Sequence, residues 1–257
     1  MDEDFSVPVT VSGKRAVVIG GTSGIGQAIA LGFAADGADV IATSRRAEVV
    51  DETADMIEAY GGQTARVTCD VTDRDSLASV RDVALDTYDG IDIVVASQGA
   101  ISRDPILEIS EAEWDRVTGI ALDGVWRVTQ TFAPAMDAGG SIIPISSLAA
   151  RLSMADLPAY AAAKGGVEAF VRAAAKELAP ELRVNAIAPG FVLTPQNKKV
   201  YAEGTEKRER IDRRTPLGRV ADREEMIGAA VFLGSDAASY VTGEVVTVDG
   251  GFASSAL

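Results

Sequence analysis

Short apolar runs recur along the chain at positions 16–19, 39–43, 65–68, 91–96, 141–145, 183–188 and 245–248. Most are continuous rather than alternating, which is the pattern of strands covered on both faces. Between them lie stretches with helical spacing at 24–35, 48–60, 74–88, 111–136, 159–178 and 223–233. Repeated strand-helix-strand order predicts right-handed crossovers, and with them an α/β fold: a doubly wound parallel sheet of about seven strands with helices on both faces. No linker or internal repeat interrupts the pattern, so residues 1–257 read as one domain with a tail at 1–10. Positions 194–219 form the one long stretch without a strand, and they are densely charged. They read either as a lid over the strand tips or as a solvated surface helix.

Composition narrows the chemistry. Apolar residues make up 47% of the chain, yet no run is long enough to cross a bilayer. The stretch from Met1 to Thr10 is acidic, unlike a signal peptide, so a cytoplasmic protein with no membrane partner is expected. Cys69 is the single cysteine and histidine is absent. That excludes an intrachain disulfide and Ser-His-Asp or Cys-His catalysis, and no metal site is expected. With 38 acidic against 24 basic residues the net charge is −14, which argues against a nucleic-acid partner. The acids are spread along the chain, arginine outnumbers lysine and aspartate outnumbers glutamate. Such a surface suits concentrated salt, where screening removes the self-repulsion, although a merely acidic protein has the same sign.

The first strand is followed by Gly20, Gly21, Thr22, Ser23, Gly24, Ile25 and Gly26, and then by a helix. Glycine is needed where a chain turns sharply and where backbone must approach a pyrophosphate; the helix N-terminus then holds the anion. At the tip of the second strand an acidic residue would accept bonds from an adenosine ribose, but the sequence there is Ser44-Arg45-Arg46. Guanidinium forks suit a 2′-phosphate, so NADP(H) is favoured over NAD(H). The alternative is that both arginines merely open a helix, pairing with Glu48 or Asp51. Asp70 and Val71, closing the third run, are placed to meet the adenine.

Tyr160 and Lys164 lie four apart in an alanine-rich helical stretch, so phenol and ammonium share a face. A nearby cation favours the phenolate and lowers the tyrosine pKa, making a usable proton donor and acceptor. Ser147 closes an apolar strand run whose tip faces the same crevice as the glycine turn.

Together these residues resemble the short-chain dehydrogenase/reductase family, over nearly the whole chain. The family's glycine turn matches Gly20, Gly24 and Gly26, its adenine-contacting acid matches Asp70, and its serine and Tyr-x-x-x-Lys pair match Ser147, Tyr160 and Lys164. A further family segment matches Asn185 to Gly190, then Phe191, Val192 and Thr194, and Val248-Asp249-Gly250-Gly251 fits the family's close. The resemblance implies a single Rossmann-like domain. It implies that Tyr160 passes a proton to or from the substrate oxygen, that Lys164 holds the nicotinamide ribose, and that Ser147 hydrogen-bonds the reacting oxygen. It also places Pro189, Gly190, Val192 and Thr194 beside the nicotinamide, Gln98 and Gly99 along the dinucleotide, and a homotetramer as the assembly. Two positions depart from it. Ala96-Ser97-Gln98-Gly99 stands for the usual Asn-Asn-Ala-Gly, and the family's fourth catalytic residue, an asparagine that binds a water linking the lysine to solvent, falls at Ala121. An impaired or rerouted proton relay is expected, with Gln98 and Asp123 the polar groups nearby in sequence.

The substrate pocket is expected between Ser147, Tyr160 and the lid, lined by Ala149, Arg151, Leu157, Phe191 and part of 194–201, with Ser102 or Arg103 at the mouth. Arg103, Arg151, Lys198 and Lys199 are cations that would welcome a carboxylate, or else are solvated charges paired with acids. The resemblance leans to a sugar, sugar acid or polyol as the small-molecule substrate, with 3-oxoacyl-thioester reduction as the alternative. A non-catalytic NADP(H)-binding sensor is the reading of another class, and the Ser147, Tyr160 and Lys164 set weighs against it.

Overall fold

A computed structural model describes residues 7–254; positions 1–6 of the expected tail lie outside the described residues, as do 255–257. The chain runs β1 (Arg15–Ile19), α1 (Gly24–Ala35), β2 (Asp39–Thr43), α2 (Ala47–Glu58), α3 (Arg74–Tyr88), β3 (Ile93–Ala96), α4 (Glu111–Ala121), α5 (Asp123–Phe132), β4 (Gly140–Pro144), α6 (Pro158–Leu178) and β5 (Leu182–Val184). Then follow β6 (Ala186–Pro189), β7 (Val192–Leu193), α7 (Glu206–Arg214), β8 (Ala221–Asp222), α8 (Ile227–Gly234) and β9 (Val245–Val248).

Five strands form one parallel sheet in the order β2-β1-β3-β4-β5. β6 pairs with β9, also in parallel, and a bridge between Ile145 and Ile187 joins that pair to the tip of β4. The continuous apolar runs are explained by the two faces. Val17, Val94 and Ile142 point into a core built with α3, α5 and α6, while their neighbours Val18, Val95 and Ile143 point into a second core built with α1 and α8. Alternate side chains therefore all need to be apolar. Among the described residues no helix is long and apolar enough to cross a membrane.

Four expected elements differ. Positions 65–68 make no ladder. They run beside the edge strand β2 on isolated bonds, with Val40 N–H donating to Gln63 O at 3.0 Å, the Thr43 hydroxyl to Val67 O at 2.5 Å and Cys69 N–H to Ser44 O at 2.9 Å. Arg66 is drawn off this edge by Glu58 and Asp55 of α2, at 2.7 and 2.6 Å. The expected helix 111–136 breaks at Leu122, whose side chain packs so closely on α6 that a Cβ at Gly166 would lie 2.9 Å from it; α5 then ends before Pro134. The single strand expected at 183–188 divides at Asn185. Its side chain donates to Val241 O at 2.8 Å and accepts from Glu244 N–H at 3.0 Å, so β5 stays with β4 while β6 turns to β9. Last, 223–226 is a single 3-10 turn preceding α8 rather than part of it.

Candidate active site

The strand order reverses at β1, whose neighbours β2 and β3 lead away in opposite directions, and a crevice opens at the carboxyl tips of such a switch point. The glycine turn lines it. Gly20 has φ +73°, and a Cβ there would lie 2.8 Å from Gln98 N; a Cβ at Gly26 would lie 2.2 Å from Gly20 O. Either side chain would push the turn away from β3 or from α1. The Ser23 carbonyl accepts from Gln27 N–H of α1 at 3.1 Å, but its side chain caps none of the first N–H groups of the helix. Thr22 ties the turn to β2 through a 2.7 Å hydroxyl bond to Ser44. A cradle with no room for a Cβ, lined with backbone donors at a positive helix end, fits the pyrophosphate of a dinucleotide.

At the adenosine end, Arg45 and Arg46 are exposed beyond β2. Arg46 stands 3.9 Å from Glu48, whereas Arg45 lies close enough to Asp70 to help hold its carboxyl below the usual range. The largest cause of that lowering is the Thr72 N–H, which donates to Asp70 at 2.9 Å; the Thr72 hydroxyl adds a 2.7 Å bond. Val71 is buried beside this carboxylate. Gln98, next to the exposed Gly99 at the tip of β3, is buried with neither amide atom partnered among the described residues, and its Nε2 would be 3.2 Å from a Cβ at Gly124.

The reacting groups meet beyond β4. Ser147 caps a 3-10 turn, its Oγ accepting from Ala149 N–H at 3.1 Å, and faces the Tyr160 phenol of α6. Lys164, one turn further on, is buried and donates to Ile145 O at 2.6 Å. The structure thus brings Ser147, Tyr160 and Lys164 together, as expected. The electrostatics differ from expectation. The ammonium lies 5.7 Å from the centre of the Tyr160 ring, not against its hydroxyl. Burial pushes the phenol above its ordinary pKa, with Ser147 pulling the other way and Tyr201 adding to the rise. Burial also pushes Lys164 down to about 8. Lowering of the phenol by the ammonium is therefore not the dominant effect; removal from water is.

Positions 194–219 touch the glycine turn at one end and pack into a small apolar cluster further on. Gln196 donates to Ser23 at 3.1 Å and Thr194 packs against Gly24, so the segment closes on the glycine turn. Its ends are held by the pairing of β7 with β8, which places Val192, and Pro189-Gly190 run against Asp249. Ile211 of α7 is buried with Leu148, Val220 and Phe252, and Phe191 packs edge-on against Tyr201 and Phe252 at 5.7 and 4.9 Å. A purely solvated helix does not describe it. Arg151 takes the second of its two expected readings, an exposed charge paired with an acid: its guanidinium is held by the buried Glu168 at 2.8 Å, with Ser146 on the other carboxylate oxygen at 3.3 Å. Ala121 is fully buried at the end of α4, and Asp123 turns to Arg127 at 3.5 Å.

A glycine turn that fits a dinucleotide, beside a Ser-Tyr-Lys cluster, defines the class, an NAD(P)-dependent oxidoreductase. A family model described as enoyl-(acyl carrier protein) reductase matches residues 20–253. The chain is 39% identical to a 3-oxoacyl-[acyl-carrier-protein] reductase of Thermotoga maritima, over 94% of this chain and 98% of that protein. It is 38% identical to a 2-dehydro-3-deoxy-D-gluconate 5-dehydrogenase of Pseudoalteromonas atlantica, over 98% and 99%. A crystal structure of a candidate NAD(P)-dependent gluconate 5-dehydrogenase from Beutenbergia cavernae, holding NADP at low occupancy, is similar at TM-score 0.89 and 41% identity, covering 96% of this chain and all of that one. The chain belongs to the short-chain dehydrogenase/reductase family.

Proposed function

We propose that this protein is an NADP(H)-preferring dehydrogenase that interconverts a hydroxyl and a ketone on a sugar, sugar acid or polyol. The observation that carries the reading is the convergence of Ser147, Tyr160 and Lys164 beside a glycine turn that the 194–219 segment also touches. The dinucleotide supplies the hydride donor or acceptor. Gly20, Thr22, Ser23, Gly24, Ile25 and Gly26 would hold its phosphates, Asp70, Val71, Gln98 and Gly99 its adenosine half, and Pro189, Gly190, Val192, Thr194 and Lys164 its nicotinamide half. Ser44, Arg45 and Arg46 would hold a 2′-phosphate. During oxidation the phenolate of Tyr160 takes the hydroxyl proton; during reduction the phenol returns it. The Ser147 hydroxyl donates to the substrate oxygen, steadying the charge that develops there. The buried Lys164 ammonium sits on the same helix face and favours the phenolate once a substrate displaces water.

Relatives that act by name on gluconate derivatives support the sugar-acid leaning, and the Thermotoga relative supports 3-oxoacyl-thioester reduction as the second reading. Steady-state turnover of D-gluconate, D-glucitol and acetoacetyl thioester with each cofactor decides between them. The expected result is turnover of the polyhydroxy substrates with NADP+, and thioester reduction alone would overturn the assignment. On the same panel Arg45→Asp is expected to raise the KM for NADP+ by about tenfold or more and leave that for NAD+ within a few-fold, because a carboxylate replaces the phosphate's partner. Equal use of both cofactors by the unaltered protein would defeat the NADP(H) preference. A cytoplasmic homotetramer adapted to salt belongs to the same proposal, and sedimentation at low and high salt tests the assembly.

A further inference from the structure

Two charged side chains are buried among the described residues, Lys164 at 3% exposure and Glu168 at 6%. The reaction uses the first, and nothing in it uses the second. They stand four apart on α6, with Tyr160 four before Lys164, so the three groups form one stripe along a single helix face. That spacing is the one trace of Glu168 in the sequence. Burying a carboxylate is costly unless it is paired, and a well-packed apolar residue of similar volume is often at least as stable in its place. Stability alone therefore does not explain an acid here.

The bonds of Glu168 go to the segment that carries Ser147. One carboxylate oxygen accepts from the Ser146 hydroxyl at 3.3 Å, and the other accepts from the Arg151 Nε–H at 2.8 Å. Between these two residues lies a single 3-10 turn, Leu148–Ala150, which Ser147 caps through its bond from Ala149 N–H. One side chain thus grips the chain on both sides of Ser147. Further bonds hold the two grips in place. Lys164 donates to Ile145 O at 2.6 Å, and Ser146 N–H donates to Ile187 O of β6 at 2.7 Å. Arg151 also reaches the Thr247 hydroxyl of β9, at 3.3 Å.

We propose that Glu168 is a positioning residue for the reaction: its carboxylate, bridging Ser146 and Arg151, holds the Ser147 hydroxyl where it meets the substrate oxygen. Tyr160 and Lys164 are fixed by the helix they ride on, whereas Ser147 lies on the loop leaving β4 and needs a separate tie to that helix. Glu168 supplies the tie from the same helix face, so one rigid element sets all three reacting groups. The role rests on the oxidoreductase reading above and concerns geometry alone; no proton passes to Glu168. A displacement of Ser147 by about 1 Å is enough to cost roughly a hundredfold in rate, because its bond must form to charge that develops only in the transition state.

The test is Glu168→Leu, since leucine fills the site and forms neither bond. With D-gluconate and NADP+, or acetoacetyl thioester and NADPH, kcat is expected to fall roughly thirty- to a hundredfold. KM for the substrate and Kd for the cofactor should each change by less than about threefold, and Tm should be unchanged or higher. Glu168→Gln can still accept from Arg151 and pair with the Ser146 hydroxyl, and is expected to restore kcat to within about fivefold of the original. The deciding measurement is a cycle with Ser147→Ala. Because Glu168 acts through Ser147, adding Glu168→Leu to Ser147→Ala should lower kcat by less than about threefold more. Additive losses would overturn the role, as would an unchanged kcat in the Leu variant or a fall no larger than its lost folded fraction. Hydrogen exchange at the Ala149 and Ala150 amides needs no turnover and is expected to speed about tenfold in Glu168→Leu. Faster exchange in a protein that turns over neither substrate keeps the tie between α6 and the Ser147 turn and overturns the activity. Unchanged exchange beside normal turnover overturns the tie alone.

Discussion

Tyr160→Phe is expected to lower kcat about a thousandfold while the Kd for NADP+ stays within twofold. The substitution removes one oxygen from a half-buried ring and leaves the packing of α6 in place. What it removes is the group facing Ser147 at the tip of β4, where the substrate oxygen would lie. Burial raises this phenol's pKa, so in the oxidative direction only a small fraction is ionised at neutral pH, and kcat/KM for a hydroxyl substrate should climb as the solution becomes more alkaline. In the reductive direction the neutral phenol is the acid, and the profile should run the other way. The Phe variant should show neither limb. Stopped-flow and steady-state rates across pH 6–10 check this (on the order of ten pH points suffice). A variant that keeps the pH dependence would move the proton transfer to another residue, and Gln98 and the Ala121 region would have to be searched for it.

Much of this arrangement is legible in the chain because it depends on local chemistry. The glycine turn is written in residues whose replacement would collide with backbone, as Gly26 against Gly20 O shows, and the Tyr160–Lys164 spacing places both side chains on one face whatever else the fold does. The strand periodicity is legible for the same reason, since Val17 and Val18 must each find a core. What is not legible depends on partners distant in sequence. Arg151 reads equally as a receptive cation or as a paired charge until Glu168, on the next helix, is seen to hold it. The strand at 183–188 reads as continuous until the side chain of Asn185 is seen to bond Val241 and Glu244. The pKa of Tyr160 reads as lowered because a neighbouring ammonium is visible in the sequence, whereas burial is not, and burial wins.

Lys164→Met is expected to abolish useful turnover and at the same time stabilise the fold. Burial brings the Lys164 pKa from the ordinary 10.5 down to about 8, so below pH 8 the folded protein carries a charge that it holds less well than the unfolded chain does. The corresponding penalty is about 3 kcal/mol, constant below pH 8. The sign follows from proton counts. Between pH 8 and 10.5 the unfolded chain binds the proton and the folded protein has released it, so native stability rises with pH through that window. Methionine has nearly the length of the lysine and no charge to desolvate. It forfeits the 2.6 Å bond to Ile145 O, a loss of about 1 kcal/mol. The net gain at pH 7 should be about 2 kcal/mol, raising Tm by roughly 4–8 °C in a chain of this size. It should vanish towards pH 10.5, where the lysine is already neutral. Urea melts at pH 7 and pH 10 read this directly. A Met variant less stable than the original at both pH values would mean that the bond to Ile145, not the buried charge, dominates this position. Stabilisation with lost turnover would show an ammonium kept in the core against the interest of the fold, by the demands of the chemistry beside it.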